Sequence, residues 1–477
     1  MFIFIALCLI LAFLPLPYGS VEPWSIYIFE AATLILFGLH LVRRRGSQEP
    51  AENEAKAQAP FRIPLIFKLC LGLFFAVAIL HVLPLPPAAV RFLSPSSAAA
   101  VGQDLGEKTW RALSLAPALS AYELLKYVCY FLFARLVFLY ISSRRRLEIF
   151  VWVVLAGAVF QSLYGLEEYF GGTHRIFGWK NVYYADSTFG TFVNRNHFAG
   201  FLEMALPLGI GYLLAKADFF SIGRRTGFKE RLLWFGQERL QKTVIHAVAP
   251  IILGLGLFFS RSRGGLFNFF LATFFMIFAL TLGGKKGSGQ GADRGGRAAG
   301  DARAARSRII VRTVLLLIVG AALLIGINPI LERFSADQVR NEGRPILYKY
   351  TLDLISHYPS FGTGPGTYVY AYPRFEKIQT PGLTDHAHND YLELLAEMGV
   401  IGGGGLIIAA FGAFVSLFIR WTKRKDPFVK GISLGILAGI LAILVHSFGD
   451  FNLRIPANAV YFASFFAVAM GALRSKF

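Results

Sequence analysis

The amino-acid sequence predicts an all-α, polytopic integral membrane protein. Two observations carry that expectation. Of its 477 residues, 55% are hydrophobic and 15% aromatic, with a mean hydropathy of +0.53. A soluble chain of this length could not bury that much apolar surface. The apolar residues also fall in runs close to the roughly 20 residues that a bilayer-spanning helix needs.

The runs cover residues 2–16, 24–42, 64–83, 122–141, 149–169, 198–215, 244–260, 266–282, 309–327, 400–419, 432–447 and 457–473. That predicts about twelve transmembrane helices. Orientation follows from the basic residues. Arg43 to Arg45 follow the second run and Arg144 to Arg146 the fourth. Lys216, Arg224, Arg225, Lys229 and Arg231 follow the sixth. Lys285, Lys286 and a stretch from Arg294 to Arg308 follow the eighth. Lys423 to Lys425 follow the tenth, and Arg474 and Lys476 the last. Each even-numbered run is thus followed by a basic cluster, which places both termini in the cytoplasm. The formal charge of +19 is distributed as such anchors are, so nucleic acid is not an expected partner.

The first run has neither a basic leader nor a small-residue cleavage site, and is expected to stay as a membrane helix. Cys8, Cys70 and Cys129 lie in apolar runs without CxxC spacing; buried thiols are expected, not disulfides or a zinc site. The whole chain, residues 1–477, is expected to form a single membrane domain. Residues 283–308, rich in Gly, Ala and Arg, suggest a flexible cytoplasmic loop. Residues 328–390 form a large loop on the opposite face. A structureless segment of that length would be unusual, so a partly helical cap is expected between helices 9 and 10. It includes a helix over residues 345–357 and a Gly/Pro break, "YPSFGTGPGTY". No internal repeat of the kind found in many transporters is evident.

Glu203 lies within a run, and Lys68 and Lys126 near run ends. Most other polar groups gather at the non-cytoplasmic ends of the runs. They are Asn194, Arg195, Asn196 and His197; Arg261 and Arg263; Arg344; His386, His388, Asn389 and Asp390; and Asp450, Asn452 and Arg454. Five segments therefore deliver polar groups to one membrane face. That suits an enzyme acting on a membrane-tethered substrate, whereas transporter sites lie nearer the midplane.

Four stretches, in order, resemble one family. They are "FGTFVNRNHFAGFLEMALPL" (Phe189 to Leu208), "SRSRGG" (Ser260 to Gly265), "GRPILYKYTLDLISHYPSFGTGPGTY" (Gly343 to Tyr368) and "HAHNDYLELLAEMGVIG" (His386 to Gly402). Together with "FNLRIPANA" they look like the O-antigen ligase and O-antigen polymerase superfamily over residues 190–459. The resemblance implies a bacterial inner-membrane glycosyltransferase. Such an enzyme moves a glycan from undecaprenyl diphosphate to an acceptor at the periplasmic face, with no metal and no cofactor. The acceptor would be lipid A core, a growing polysaccharide or a protein.

Residue chemistry fits that reaction. The ligase-type pattern is a His, then Asn, Ser or Gln, then nine residues, then Gly and an aliphatic residue. His388-Asn389, residues 390–398 and Gly399-Val400 meet it. His388 is the candidate base, since imidazole titrates near neutrality; its bland alternative is a helix cap. Arginine binds phosphate oxygens as a planar, permanently charged fork. Arg263 and Arg344 match family arginines and are the candidate diphosphate ligands. Arg195 and Arg261 are further candidates, or else interfacial anchors; family members often have proline at the position of Arg195. Asn196, His197, Asn389 and His386 are candidates for sugar binding or orientation. Asn389 or Asp390 would also cap the following helix, with Asp390, Glu393 and Glu397 complementing its dipole. Asp450 and Arg454 suggest a structural pair. Direct attack by the acceptor predicts inversion at the anomeric carbon. The alternatives are a repeat-unit polymerase of the same superfamily and, in another class, a lipid-linked glycan flippase or transporter.

Overall fold

A backbone amide in hydrocarbon has no partner outside its own helix, so apolar runs fold as helices. The computed structural model describes residues 1–46, 64–105, 110–216, 238–285, 294–325, 343–378 and 384–474. The first half contains α1 (Phe2–Phe13), α2 (Pro23–Gly46), α3 (Leu65–Leu80), α4 (Pro87–Leu93), α5 (Pro95–Leu105), α6 (Pro117–Tyr140), α7 (Arg144–Phe170) and α8 (Arg195–Lys216). The second half contains α9 (Glu238–Phe259), α10 (Arg263–Lys285), α11 (Arg294–Ile325), α12 (Arg344–His357), α13 (Tyr368–Ala371), α14 (Asp390–Met398), α15 (Gly405–Lys423), α16 (Pro427–His446) and α17 (Pro456–Arg474). Among the described residues the only named strands are the two-residue β1 (Arg175–Ile176) and β2 (Trp179–Lys180), paired antiparallel.

Seven described helical stretches are long and apolar enough to cross a membrane, and α1, α3 and His246–Phe259 within α9 are shorter apolar helices. The chain is therefore an all-α polytopic membrane protein. Each of the twelve expected runs overlaps a helix. With 12 residues, α1 is about 18 Å long, short of a bilayer core of about 30 Å.

Two local differences have physical causes. The segment expected as a flexible loop, 283–308, is helical from Arg294 onward and continuous with α11; its alanines and arginines are strong helix formers. The basic residues Arg224, Arg225, Lys229, Arg231, Lys286 and Lys476 lie outside the described residues. The cap helix α12 begins one residue earlier than expected, at Arg344. The tenth run does not begin as a single α-helix. It starts with α14, passes through a π-helical turn, Gly399–Gly404, and continues as α15. Gly399 has φ +63° and lies against the backbone of Ser360, where a Cβ would overlap the carbonyl oxygen. Glycine alone adopts that conformation without a Cβ penalty.

The centre of the bundle is the α8–α16 pair. From Phe198 to Ala215 every residue of α8 is buried, as is most of α16. Gly431, Gly435 and Gly439 recur every fourth residue on α16, the small-residue spacing that lets membrane helices approach closely. A Cβ on Gly431 would stand 2.6 Å from the Ala215 amide nitrogen, and one on Gly439 2.7 Å from the Met204 carbonyl oxygen. The close approach fixes the end of α16 against the start of α8, which is where the polar residues converge.

Gly431→Val is expected to destabilise the protein by roughly 1–3 kcal/mol, the usual cost of overpacking. Thermal unfolding in detergent checks this; an unchanged midpoint would show that the two helices are not held this tightly.

Candidate active site at the joined ends of helices α8 and α16

The turn from α16 into α17 is built around Asp450, whose side chain is fully buried. Four groups surround its carboxylate. Asn196 Nδ2, in the first turn of α8, donates to Oδ2 at 2.6 Å. An Arg344 guanidinium nitrogen, from the start of α12, donates to the same oxygen at 3.4 Å. His388 Nδ1 stands 3.3 Å from Oδ1, and the Phe451 amide donates to Oδ1 at 2.9 Å. Burial pushes the Asp450 carboxyl up. The hydrogen bond from His388, with the nearby guanidinium of Arg344, outweighs burial and holds it well below the usual carboxylate range. An ionised carboxylate only accepts, so His388 Nδ1 carries the proton. That tautomer leaves the His388 Nε2 lone pair available, and the ring is 35% exposed. Arg344 is likewise 31% exposed, so its guanidinium reaches the same surface.

The His388 backbone has φ +48°, a left-handed conformation that is uncommon for residues other than glycine. Such strain persists only where its surroundings over-determine it. Here the Tyr348 hydroxyl donates to the His388 carbonyl at 2.9 Å. Asn389 caps α14, its Oδ1 accepting from the Tyr391 and Leu392 amides at 3.1 Å each. Its Nδ2 donates to the Phe448 carbonyl at 2.9 Å. Asp390 accepts from the Ser447 hydroxyl at 2.8 Å and the Leu453 amide at 3.1 Å. The start of α14 is thus stapled to the Asp450 turn, and His388 is carried by the staple.

Phe451 supplies an aromatic centre. His386 stacks on its ring at 4.1 Å between centroids, while His388 and His197 meet it edge-on at 4.8 and 4.5 Å. His197 Nε2 is 3.9 Å from Asp450 Oδ1, beyond hydrogen-bond distance. His386 Nδ1 instead contacts Glu393 Oε1 at 2.9 Å. Burial works against a charged His386 ring, yet Glu393, by charge and by hydrogen bond, outweighs it and raises its pKa above the usual histidine value.

Behind this layer Arg454 bridges two buried carboxylates. It lies 3.1 Å from Glu393 and 2.6 Å from Glu397. Two expectations are corrected here. Asp450 and Arg454 do not pair with each other; each serves a separate layer. Glu393 and Glu397 are not simply acids complementing a helix dipole, because both are buried and salt-bridged to Arg454.

The remaining arginines divide. Arg195 and Arg261 converge on Asp186, at 3.1 and 3.0 Å, so they clamp the 171–194 connection. Arg263 opens α10 and is half-buried. Its neighbour Gly264 packs against His446, where a Cβ would stand 2.7 Å from Nε2. Since His446 begins the Asp450 turn, Arg263 stands at the same end of the bundle. His446 Nδ1 also meets the Glu203 carboxylate at 3.0 and 3.1 Å, a fully enclosed pair. The structure thus joins His388, Arg344, Asn196 and His197 around Asp450 and Phe451. Of these, Phe451 escaped the sequence reading, and Asp450, in the short turn "GDFNLRIP", was expected only as a structural partner of Arg454. Among the described residues, no three His, Cys, Asp or Glu side chains are arranged to hold a metal ion.

Residues 248–407 match the sequence model of the family described as O-antigen ligase. The match covers about a third of the chain and supports its resemblance to the O-antigen ligase and polymerase superfamily. The matched segment contains Arg261, Arg263, Arg344, His386 and His388, and ends before Asp450. No curated protein matches the sequence.

Two outcomes follow from the second layer. Arg454→Met would leave Glu393 and Glu397 buried without their cation and is expected to cost roughly 3–5 kcal/mol, measurable as loss of thermal stability in detergent. The His386–Glu393 contact contributes stability that is fully present below about pH 6.5, the unfolded histidine value. It is lost as pH rises through the higher folded value. His386→Gln should flatten that part of the stability-versus-pH curve; an unaltered slope would contradict the assignment.

Proposed function

We propose that this protein is an inner-membrane glycosyltransferase of the O-antigen ligase type. It transfers a glycan from undecaprenyl diphosphate to an acceptor hydroxyl at the periplasmic face. The observation that supports it best is the shared contact of His388 and Arg344 with one buried carboxylate, Asp450. Both face the surface from there, one as a base and one as a fixed cation.

In the proposed reaction His388 Nε2 takes the proton of the acceptor hydroxyl as its oxygen attacks the anomeric carbon. The bond from that carbon to the diphosphate oxygen breaks on the opposite side, so the configuration inverts. The electron pair leaves with the diphosphate, whose growing charge is met by Arg344 and Arg263. Asp450 keeps the imidazole in the tautomer that can accept the proton and stabilises the imidazolium that forms, as a carboxylate does for the histidine of a catalytic triad. Asn196 and His197 border the same carboxylate and would orient the sugar or the turn itself. Arg195 and Arg261, held on Asp186, fix the neighbouring loop. The arginines supply the electrostatic clamp, so the reaction is expected to need no metal. Donor and acceptor meet at a membrane surface, with about twelve crossings and both termini in the cytoplasm.

The test is reconstitution with an undecaprenyl-diphosphate-linked glycan and candidate acceptors, with the product mass read out. Ligation gives one transferred glycan per lipid A core or protein acceptor; polymerisation gives a ladder. His388→Ala is expected to lower the rate roughly 10²–10⁴-fold, the usual worth of a positioned base. Transfer by that variant at the wild-type rate would remove His388 from the mechanism. Activity lost with EDTA and restored by a divalent ion would overturn the arginine clamp.

A further inference from the structure

A cavity lies at the end of the bundle remote from Asp450. That end is marked by Lys216, the last residue of α8, paired with Glu148 at 2.6 Å, and by Arg144 paired with Asp426 at the start of α16 at 2.7 Å. The cavity is a groove of about 670 Å³ between α1 and α7, within the roughly 300–1,000 Å³ of small-molecule sites. Its walls are apolar and helical in register. Phe4, Cys8 and Ala12 recur every fourth residue along α1, and Ile149 and Val153 do so along α7. One face of each helix therefore lines the groove. Its mouth is polar, formed by Ser142, Arg145 and Arg146 among others.

The three arginines at this mouth have different tasks. Arg144 turns away to Asp426 and to the Phe428 ring, 4.7 Å from its centroid. Arg146 is anchored to the Tyr140 carbonyl at 3.1 Å and the Ser142 hydroxyl at 3.2 Å. From there its guanidinium lies 5.8 Å from the centroid of the Phe4 ring at the head of the groove. Arg145 lines the mouth and is exposed. An apolar trough with two guanidinium groups at one end matches, in shape and charge, a molecule with a hydrocarbon tail and an anionic head. In a bilayer such a molecule is at hand, and basic residues at the membrane surface draw anionic headgroups.

We propose that this groove binds one anionic phospholipid, its phosphate held by Arg145 and Arg146 and an acyl chain laid between α1 and α7. The site is independent of the glycan-transfer proposal, since it shares no residue with the Asp450 cluster.

The experiment is native mass spectrometry of the full chain in detergent, titrated separately with phosphatidylglycerol and phosphatidylethanolamine. One phosphatidylglycerol adduct is expected to persist, bound in preference to phosphatidylethanolamine. Arg145→Gln, at an exposed position, should weaken that adduct about fivefold, the worth of one basic side chain at an anionic surface. Ala12→Trp, which fills the trough, should abolish it. Equal retention of the two lipids, no retained adduct, or wild-type binding by Arg145→Gln would each overturn the proposal.

Discussion

A carboxylate taken wholly out of water must be compensated by nearby donors, and Asp450 is the point where this protein meets that demand. Removing a charge from water costs several kcal/mol, and only good geometry and further hydrogen bonds return it. The protein meets the requirement with Asn196 from α8, Arg344 from α12, His388 from the start of α14 and the Phe451 amide. Three separate parts of the chain are thereby held to the carboxylate of the 446–455 turn. The tautomer of His388, the position of Arg344 and the seating of the 446–455 turn all depend on that carboxylate being present and ionised.

The helices determine where this can happen. The α8–α16 pair is close-packed through glycines, so the first turn of α8 and the exit of α16 meet at one end of the bundle. A second buried layer, Arg454 with Glu393 and Glu397, keeps α14 against the same turn. The segment that matches the O-antigen ligase family brings the histidines and arginines. Asp450, which orients them, comes from the turn after α16, and Asn196, which holds Asp450, comes from α8, both outside that segment. The site is therefore a product of the whole bundle, and a fragment limited to the matched residues would lack its central carboxylate.

Much of the framework was legible because hydrophobicity is a one-dimensional signal. Run length and basic spacing announce membrane helices without any knowledge of packing, and the cap helix at 344–357 shows its own amphipathic pattern. His388 and its capping neighbour Asn389 were legible as a local pattern at a helix start. Pairing between distant residues was not. Nothing in the sequence says that Asp450 faces His388 instead of Arg454, four residues away, because that depends on how α14 and the last turn are stapled together. Nor could spacing reveal that Arg195 and Arg261 share Asp186, or that Glu203 meets His446 across the α8–α16 interface. The π-helical turn at 399–404 was hidden for a similar reason: its cause is backbone contact with Ser360, far away in the chain.

The central claim is that Asp450 and His388 act as one unit in glycan transfer, and a double-mutant cycle measures this most directly. Transfer rates would be taken for the wild type, Asp450→Asn, His388→Ala and the double variant, with the same donor and acceptor. Residues that work as a unit are strongly non-additive. The double variant should then be no slower than His388→Ala alone. Losses that multiply, each substitution costing its full factor in the presence of the other, would contradict the account and make Asp450 a structural residue independent of the base.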